Sequence, residues 1–378
     1  MTYVAEDFGA SDRQQTTALA VIRLDIILTL VLVRAADRYG RRRMLLTCAT
    51  IGPVLTSICA GTNSLASFTA MQILSRAFVT AVAILVTVIV VEEMPARSRA
   101  WAGGCMVSAA ALGSGLVQGA ASIADRSSGA WRWPFLVPLL SLPVLLVAQR
   151  GIHETERFTR VDEELRIPTL NALRTHRRRL LAVGAIVGLI AFQANPARQL
   201  RNDYLRTERG FTGNQLTLFG VLTNAPGVLG VIAGSVLGDR RGRRVLISIG
   251  LLCVAAGDFG IYRSHGNAIW AWSVFGALFG SAALPALAIL TAELMPTQVR
   301  STANGFTGLA ARLCGFVGLI TVSFTADRFA DGNEAHIVSW FSASLILAVA
   351  VLWRTTPETS QRELEELNPE DAASTAEF

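Results

Sequence analysis

Two charged motifs occur twice in this chain, in the same order and at nearly the same spacing. The sequence Asp-Arg-Tyr-Gly-Arg-Arg at residues 37–42 returns as Asp-Arg-Arg-Gly-Arg-Arg at residues 239–244, an offset of 202 residues. The sequence Glu-Glu-Met-Pro-Ala-Arg-Ser-Arg at residues 92–99 returns as Glu-Leu-Met-Pro-Thr-Gln-Val-Arg at residues 293–300, an offset of 201 residues. Each copy lies between long apolar runs, so the repeating unit is a set of membrane helices.

The apolar runs determine the fold class. Only 16% of the 378 residues are charged, and the charges gather between apolar runs of about 20 residues, the length that crosses a bilayer as a helix. This pattern predicts an all-α, multi-pass membrane protein of two pseudo-symmetric bundles. Eleven spans are expected, at residues 17–36, 44–61, 67–91, 100–124, 131–149, 180–200, 212–237, 245–262, 268–291, 302–325 and 335–353.

A long polar stretch divides the spans into two bundles. We expect a first bundle of five spans at residues 1–150, a basic linker at 151–179, a second bundle of six spans at 180–355 and a tail at 356–378. The repeat offset places the counterpart of the second bundle's first span before residue 1. The sequence therefore suggests a twelve-helix plan whose first helix is missing, most simply by truncation; the alternative is a protein that works with eleven helices and an external N-terminus.

Arginines predict the orientation of the chain. One set of alternating loops, together with the linker and tail, carries 21 arginines, whereas the other set carries nine. The richer side is expected to be cytoplasmic, which puts the C-terminus in the cytoplasm of a protein of the cell membrane. The same rule explains the basic run at residues 174–179, so no nucleic-acid partner is expected.

Several functional classes are disfavoured by composition. The chain has no lysine, which excludes a P-loop ATPase and Schiff-base chemistry and leaves an ion or solute gradient as the simplest energy source. Its five cysteines form no Cys-x-x-Cys pair and its four histidines are scattered, so no metal or cofactor is expected. No cluster of nucleophile, base and orienting group indicates an enzyme. Gly113, Gly115 and Gly119 are interpreted as helix-packing positions.

The repeated motifs are suited to a cytoplasmic gate. A carboxylate at a helix end can cap the first turn of a neighbouring helix and pair with arginine, and such contacts can be made in one conformation and broken in another. The alternative is that the arginines only hold the loops inside. The predicted gate residues are Asp37, Arg38, Gly40, Arg41, Glu92, Arg99, Asp239, Gly242, Arg243, Glu293 and Arg300.

Charged and polar residues within the spans are candidates for a solute or proton path, because a buried ion needs a partner, a ligand or water. Arg76 lies deep in its span and could bind an anionic solute or a proton-linked carboxylate, or form a fixed salt bridge. Asp25 could pair with Arg23 or titrate. The candidates are Arg76, Asp25, Arg23 and Arg312, together with Gln193 and Asn195, where Pro196 is expected to break the helix, and Asn224 beside Pro226.

The repeated motifs resemble those of the major facilitator superfamily, and the Glu-x-Met-Pro-x-x-x-Arg segments resemble those of its sugar and organic-metabolite porters. His-Glu-Thr-Glu-Arg-Phe at residues 153–158, Pro-Glu-Thr at 357–359 and Leu-Glu-Glu at 364–366 are weaker echoes. The family usually has glycine four positions before each motif aspartate, where this chain has Val33 and Ser235. Residues 103–119 contain no proline, which disfavours the drug antiporters of the family.

The resemblance implies a gradient-driven secondary transporter. Its solute would be a small polar organic molecule, a sugar or an organic acid, moved by alternating access together with a proton. The protein is expected to work as a monomer in the bilayer. Two alternatives stay open: a drug or toxin efflux antiporter, and a solute sensor or truncated remnant that does not transport.

Overall fold

The structure, a computed structural model, describes residues 21–121, 130–155, 174–329 and 334–373, with residues 4, 7–10, 14, 17 and 18. Helices and turns make up this described part of the chain, without a β-strand. The helices are α1 Asp25–Tyr39, α2 Arg41–Ile58, α3 Leu65–Glu93, α4 Arg99–Ala121, α5 Ser141–Ala148, α6 Arg177–Thr207, α7 Gly213–Arg241, α8 Arg243–Arg263, α9 Asn267–Glu293, α10 Arg300–Phe329, α11 Glu334–Phe341, α12 Ala343–Thr355, α13 Leu364–Leu367 and α14 Pro369–Ala373.

The predicted all-α membrane architecture is confirmed. Ten of the predicted spans coincide with α1 to α10, where α5 follows the 3-10 segments Ala130–Phe135 and Val137–Leu140, and the eleventh coincides with α11 and α12. Within the described residues, nine stretches are long and apolar enough to cross a membrane.

Glycine separates the paired helices at both copies of the first motif. Gly40, between α1 and α2, has φ 109°, and Gly242, between α7 and α8, has φ 107°. A side chain is disfavoured at such positive φ values, so glycine allows the chain to leave one helix and enter the next within a single residue. The repeated motif therefore encodes the same sharp turn twice.

The chain divides into two compact units. Unit 1 comprises Met1–Glu93, Ala109–Thr169 and Thr297–Gly305, and unit 2 comprises Met94–Ser108, Leu170–Pro296 and Phe306–Phe378. The first turns of α10 thus belong to unit 1, and the first turns of α4 belong to unit 2. Each unit contains the start of a helix from the opposite sequence repeat.

The core of each unit is built from aliphatic side chains of neighbouring helices. In unit 1, Val33 of α1, Cys48 of α2 and Ala81 of α3 are fully buried together. In unit 2, α6, α8, α9 and α12 share a larger core, to which they contribute Val183, Ile186, Ile247, Leu251, Ala286, Leu290, Leu345, Ala348 and Leu352.

Close helix approach in the motif regions depends on glycines of the facing helices. A methyl group on Gly305 of α10 would lie 2.9 Å from Val33, and one on Gly104 of α4 would collide with Ser235. Gly104 and Gly305 are themselves separated by the repeat offset. Where the family usually has glycine on the motif helix, this chain has Val33 or Ser235, and the glycine lies instead on the facing helix. The interpretation of Gly113 and Gly115 as packing positions is wrong, since a methyl on either would meet nothing within 4 Å among the described residues; the surroundings of Gly119 lie outside them.

The helix break expected near Gln193 and Asn195 does not occur. Helix α6 continues through Pro196, and α7 likewise continues through Pro226 beside Asn224. Proline is tolerated within membrane helices because neighbouring groups compensate for the lost hydrogen bond. At Pro196 the freed carbonyl is that of Phe192, and Gly318 of α10 packs directly against it.

Candidate functional site

Unit 1 contains a buried group of charges that we call cluster 1, consisting of Asp37, Arg41, Glu92 and Arg300. Asp37 caps α10: it accepts hydrogen bonds from the backbone amides of Ser301 (3.2 Å) and Thr302 (2.8 Å) and from the Thr302 hydroxyl (2.6 Å). The first amides of a helix lack intrahelical acceptors and carry partial positive charge, so a carboxylate is a suitable cap.

Burial destabilises the ionised form of the Asp37 carboxyl. Desolvation raises the pKa of its carboxyl above the ordinary value, whereas Arg41, whose guanidinium lies 3.5 Å away, and the donors on Thr302 and Ser301 oppose the rise. Loss of these donors would leave a carboxylate in an environment that does not stabilise its charge.

Glu92 is the centre of cluster 1. Its carboxylate accepts hydrogen bonds from Arg300 (2.7 Å), Arg41 (3.4 Å) and the Thr155 hydroxyl (2.6 Å). Arg41 also donates to the backbone carbonyl of Thr297. Two arginines, one from each sequence repeat, therefore converge on one carboxylate.

A further carboxylate caps the helix that follows the motif turn. Glu154 accepts hydrogen bonds from the backbone amides of Arg41 (2.9 Å) and Arg42 (3.2 Å), which open α2. Thr155, the next residue, is the one that bonds Glu92. The segment after α5 thus connects α2 to the end of α3.

Unit 2 contains the equivalent group, cluster 2, consisting of Asp239, Arg243, Glu293 and Arg99. Asp239 caps α4 by accepting hydrogen bonds from the backbone amides of Ala100 and Trp101, each at 3.0 Å, and Arg243 lies 3.0 Å from the same carboxylate. Every member of cluster 1 has a counterpart in cluster 2 at the repeat offset. Arg99 and Arg300 are such a pair, so each cluster takes one arginine from the opposite repeat.

Glu293 occupies the position of Glu92. It accepts a hydrogen bond from Arg243, and the Arg99 guanidinium lies 4.0 Å away. Arg99 additionally bonds the tail, at 3.1 Å from Glu363 and 3.0 Å from the carbonyl of Arg362. Cluster 2 is therefore reinforced by the tail.

The tail repeats the cap made by Glu154. Glu358 accepts hydrogen bonds from the backbone amides of Arg243 (2.8 Å) and Arg244 (3.1 Å), the first residues of α8. Further along, Asn368 donates to the carbonyl of Glu293 at 2.9 Å. The Glu-Thr pairs at 154–155 and 358–359 are offset by 204 residues, and this third repeat could have identified both caps from the sequence.

Both clusters are withdrawn from solvent. Arg41, Arg99, Arg243 and Arg300 are 0% exposed and are the largest fully buried side chains in the described part of the chain. Buried charges are costly unless they are paired and hydrogen-bonded, and every charged residue of both clusters has at least one oppositely charged partner and one hydrogen bond. The predicted gate residue Arg38, in contrast, is exposed and lies over the Tyr39 ring, 5.4 Å from its centre.

Arg76 and Asp25 form a separate polar contact in unit 1. The Arg76 Nε lies 4.0 Å from the Asp25 carboxylate, which is fully buried at the first residue of α1, whereas the Arg76 side chain is 55% exposed. Asp25 therefore faces Arg76, not Arg23 as the sequence allowed; Arg23 is exposed on the turn before α1.

Arg76 lines a cavity of about 590 Å³ in unit 1. Its walls are α2, α3 and the stretch from Pro138 to Ala148, and its polar lining includes Gln72, Ser75 and Thr56. In unit 2, the corresponding helices α8, α9 and α12 pack around α6 through Val183 and Ile186. Unit 2 contains a cavity of its own, about 320 Å³ in volume, lined by residues of α8, α11 and α12.

The remaining polar candidates are dispersed. Asn224 is exposed and bonds the carbonyl of Gly220 in its own helix (2.7 Å). Asn195 bonds the carbonyl of Ala191 (3.0 Å) and packs against Gly315. Arg312 is half-buried on α10. Neither asparagine has a contact that points to a ligand.

Gln193 leads to an acid that the sequence analysis missed. It is fully buried and donates a 2.6 Å hydrogen bond to Asp258 of α8, which also accepts from Arg201 at 3.1 Å. Asp258 stands alone in an apolar run, and its partners lie 57 and 65 residues earlier, so no local pattern marked it.

The sequence matches the profile of the Major Facilitator Superfamily over residues 1–197 and 200–376. The chain belongs to the Major Facilitator Superfamily. Its fold agrees: the structure of the proton:xylose symporter XylE bound to 6-bromo-6-deoxy-D-glucose is similar with a TM-score of 0.78 and 19% identity, covering 98% of this chain and 92% of that one. The resemblance inferred from the two repeated motifs is confirmed.

Two proteins with sequences similar to this chain are named as transporters. A probable inorganic phosphate transporter 1-10 of Oryza sativa subsp. japonica is 33% identical over 173 residues, which are 41% of this chain but only 31% of that protein. A cis,cis-muconate transport protein of Acinetobacter baylyi is 22% identical over 309 residues, 78% of this chain and 73% of that protein. The matched proteins are transporters, not enzymes, as the sequence indicated.

Proposed function

We propose that this protein is a secondary active transporter that moves a small polar organic solute, a sugar or an organic acid, by alternating access with proton symport. The pair of matched charge clusters carries the proposal. Each cluster ties a motif of one sequence repeat to the first turn of a helix from the other repeat. Contacts of this kind can hold one conformation and be released in the next.

The energetics of the clusters favour reversible contacts. A buried ion pair adds little net stability, because the desolvation cost of its charges offsets most of their attraction. When water enters, the carboxylates and guanidiniums exchange their partners for hydration, so the free-energy difference between closed and open clusters is small. A gate must have this property to open during every transport cycle.

Arg76 and Asp25 supply a central site in this proposal. A half-exposed guanidinium in a cavity with mostly apolar walls attracts an anion, and the buried carboxylate beside it holds the guanidinium in place for the solute. Phosphate and cis,cis-muconate, named for the two relatives, are anions at neutral pH. They favour an anionic solute, and of the two proposed solute classes only the organic acid is an anion. Arg23, Arg312, Gln193, Asn195 and Asn224 remain candidates for the path.

The arginine distribution supports a multi-pass protein of the cell membrane with a cytoplasmic C-terminus. In that orientation both clusters lie on the cytoplasmic side. We propose that residues 1–150 and 180–355 form the two helix bundles and that residues 151–179 link them. We also propose that the monomer is the working unit.

Transport by the purified chain in lipid vesicles that contain a pH dye tests this function. Inorganic phosphate, cis,cis-muconate and xylose are added outside one at a time. Acidification of the interior by one of them, with accumulation of that solute, is the expected result. Binding without accumulation would instead identify a sensor, and export of amphipathic drugs alone would identify an efflux protein.

A matched pair of substitutions tests the central site. Arg76→Ala removes the guanidinium, whereas Arg76→Lys keeps the charge but loses the planar fork that binds carboxylate or phosphate with two hydrogen bonds. Uptake is expected to fall strongly in the first variant and partly in the second. Normal uptake in both variants would show that Arg76 does not contact the solute.

A further inference from the structure

We propose that Asp258, held by Gln193 and Arg201, is a proton-binding site in unit 2. The inference rests on the proposed proton symport and adds a carboxyl group that carries the coupled proton. It is independent of the Arg76 and Asp25 pair, which belongs to unit 1.

The position of Asp258 makes it an unusual residue for a membrane helix. It lies 15 residues after the first residue of α8, about 22 Å by helical rise, and five residues before the last. Residues Arg243–Arg263 form one of the candidate spans, with a mean hydropathy of 2.0. Asp258 is 7% exposed. An ionisable group inside a span is costly, so its presence indicates a function.

Two side chains of α6 hold the carboxylate from one side. Gln193 donates to one oxygen at 2.6 Å and Arg201 donates to the other at 3.1 Å. The two residues are eight positions apart, slightly more than two helical turns, so they share a helix face. Gln193 Oε1 and Arg201 Nε, both buried, have no hydrogen-bond partner among the described residues.

This arrangement can accommodate Asp258 in either protonation state. The ionised carboxylate accepts from the Gln193 amide nitrogen, as observed. Once a proton from water bonds to a carboxyl oxygen, the new hydroxyl can donate to Gln193 Oε1 after the amide turns over. The number of hydrogen bonds to Gln193 stays the same, while the attraction to Arg201 is lost. Release of the proton to water on the other side restores the ion pair.

The other polar groups near Asp258 are engaged elsewhere. Tyr262, on the same helix, donates to the carbonyl of Ala197 at 2.7 Å, and Tyr204 of α6 donates to the carbonyls of Ile261 and Tyr262 while it accepts from Arg209. Arg263 donates to Ser339 of α11, and α9 presents Trp272 to Gly260. Arg201 is therefore the cation that balances the Asp258 charge.

Loss of the ion pair would change the constraint on α6. Pro196 lies between Gln193 and Arg201, so the backbone hydrogen bond from residue 196 to the carbonyl of Phe192 is missing. Arg201 and Asp258 connect the part of α6 after this weak point to α8. Protonation loosens that connection, which couples proton binding to movement of half of one helix.

The alternative is that Asp258 stays ionised throughout the transport cycle and only connects α6 to α8 through a permanent ion pair. Infrared spectra of the purified full chain, recorded as the pH is lowered, separate the two. We expect a C=O stretch of a protonated carboxylic acid in the wild type, beyond the signal of the other carboxyl groups, and this component should be missing from the Asp258→Asn spectrum. Wild-type and Asp258→Asn spectra without a difference would overturn the proposal.

Transport in the same vesicles provides the second arm, with cis,cis-muconate as the probe or phosphate if only phosphate is carried. Asp258→Asn should keep exchange of labelled for unlabelled solute and lose solute-driven acidification. Glu208→Gln, at the end of α6 and exposed, is the matched control and should keep both. Acidification by Asp258→Asn at the wild-type rate would overturn the coupling role. Absence of wild-type acidification would instead reject the symport proposal, while the infrared result still decides whether Asp258 binds a proton.

Discussion

At the scale of single residues, the clusters depend on acids that neutralise more than one arginine. Glu92 accepts from both Arg41 and Arg300, which are fully buried and come from different sequence repeats. Removing the charge of one partner leaves buried cations without compensation, and this loss costs far more than the intact pair contributes. The acids of the clusters are consequently the residues on which substitution should have the largest effect.

Glu92→Gln is expected to lower the free energy of unfolding by about 3–5 kcal/mol, because the amide cannot neutralise two buried guanidiniums. The midpoint of thermal unfolding in detergent measures the effect. Glu93→Gln is the control: the neighbouring residue is exposed, and its substitution should change stability by less than about 1 kcal/mol. Equal midpoints for the two variants would show that Glu92 is not neutralising buried charge.

The motif glycines provide a second residue-scale prediction. Gly242→Ala is expected to destabilise the protein by about 1–2 kcal/mol, because an alanine at φ 107° is strained and its methyl would lie 3.0 Å from Glu358. Gly220→Ala, inside α7 where a methyl meets nothing within 4 Å, should be neutral or stabilising, since alanine favours helix. Thermal unfolding of both variants checks the difference in sign.

At the scale of elements, carboxylates position the helix starts. Asp37 and Asp239 cap α10 and α4, while Glu154 and Glu358 cap α2 and α8. The sequence predicted the two aspartates, because they belong to conspicuous motifs between apolar runs. It singled out the segments that contain the two glutamates but assigned the glutamates no role, since a cap is visible only once the packing of the helices is known.

Glu358→Gln is expected to weaken the start of α8 selectively. The amide accepts fewer hydrogen bonds than the carboxylate and carries no charge to interact with the helix dipole, a loss of about 1 kcal/mol. Hydrogen exchange should accelerate at the amides of Arg243 and Arg244 and stay unchanged in the middle of α8. Glu366→Gln, at an exposed tail position, is the control and should leave both regions unchanged.

Two features of the helices could not be predicted from the sequence: the continuation of α6 through Pro196 and the contact between α6 and α8. Hydropathy located the membrane spans that contain α1 to α12, because bilayer thickness fixes the length of a span. It could not show that α6 continues through Pro196, since this depends on how α10 packs against α6 beside the carbonyl of Phe192. Nor could it find the contact between Gln193 and Asp258, which depends on how two distant helices pack.

At the scale of the whole molecule, the repeat explains the architecture. Each cluster includes a member of the opposite sequence repeat, so both motifs contribute to both clusters.

The proposed proton symport predicts that a proton gradient drives solute uptake. Addition of cis,cis-muconate outside vesicles should acidify the interior, and collapse of the pH gradient with an uncoupler should abolish accumulation above the external concentration while exchange continues. Accumulation that persists with the uncoupler would exclude proton symport.

The most direct test of the account is the initial rate of solute uptake by the double variant Asp37→Asn, Asp239→Asn. Both caps then lose their charge, and the rate is predicted to fall by about tenfold or more while solute binding is retained. The control is Arg34→Gln with Arg240→Gln, which changes two exposed arginines close to the capping aspartates and should leave the rate nearly unchanged. A wild-type rate in the double aspartate variant would contradict the claim that the clusters are gates.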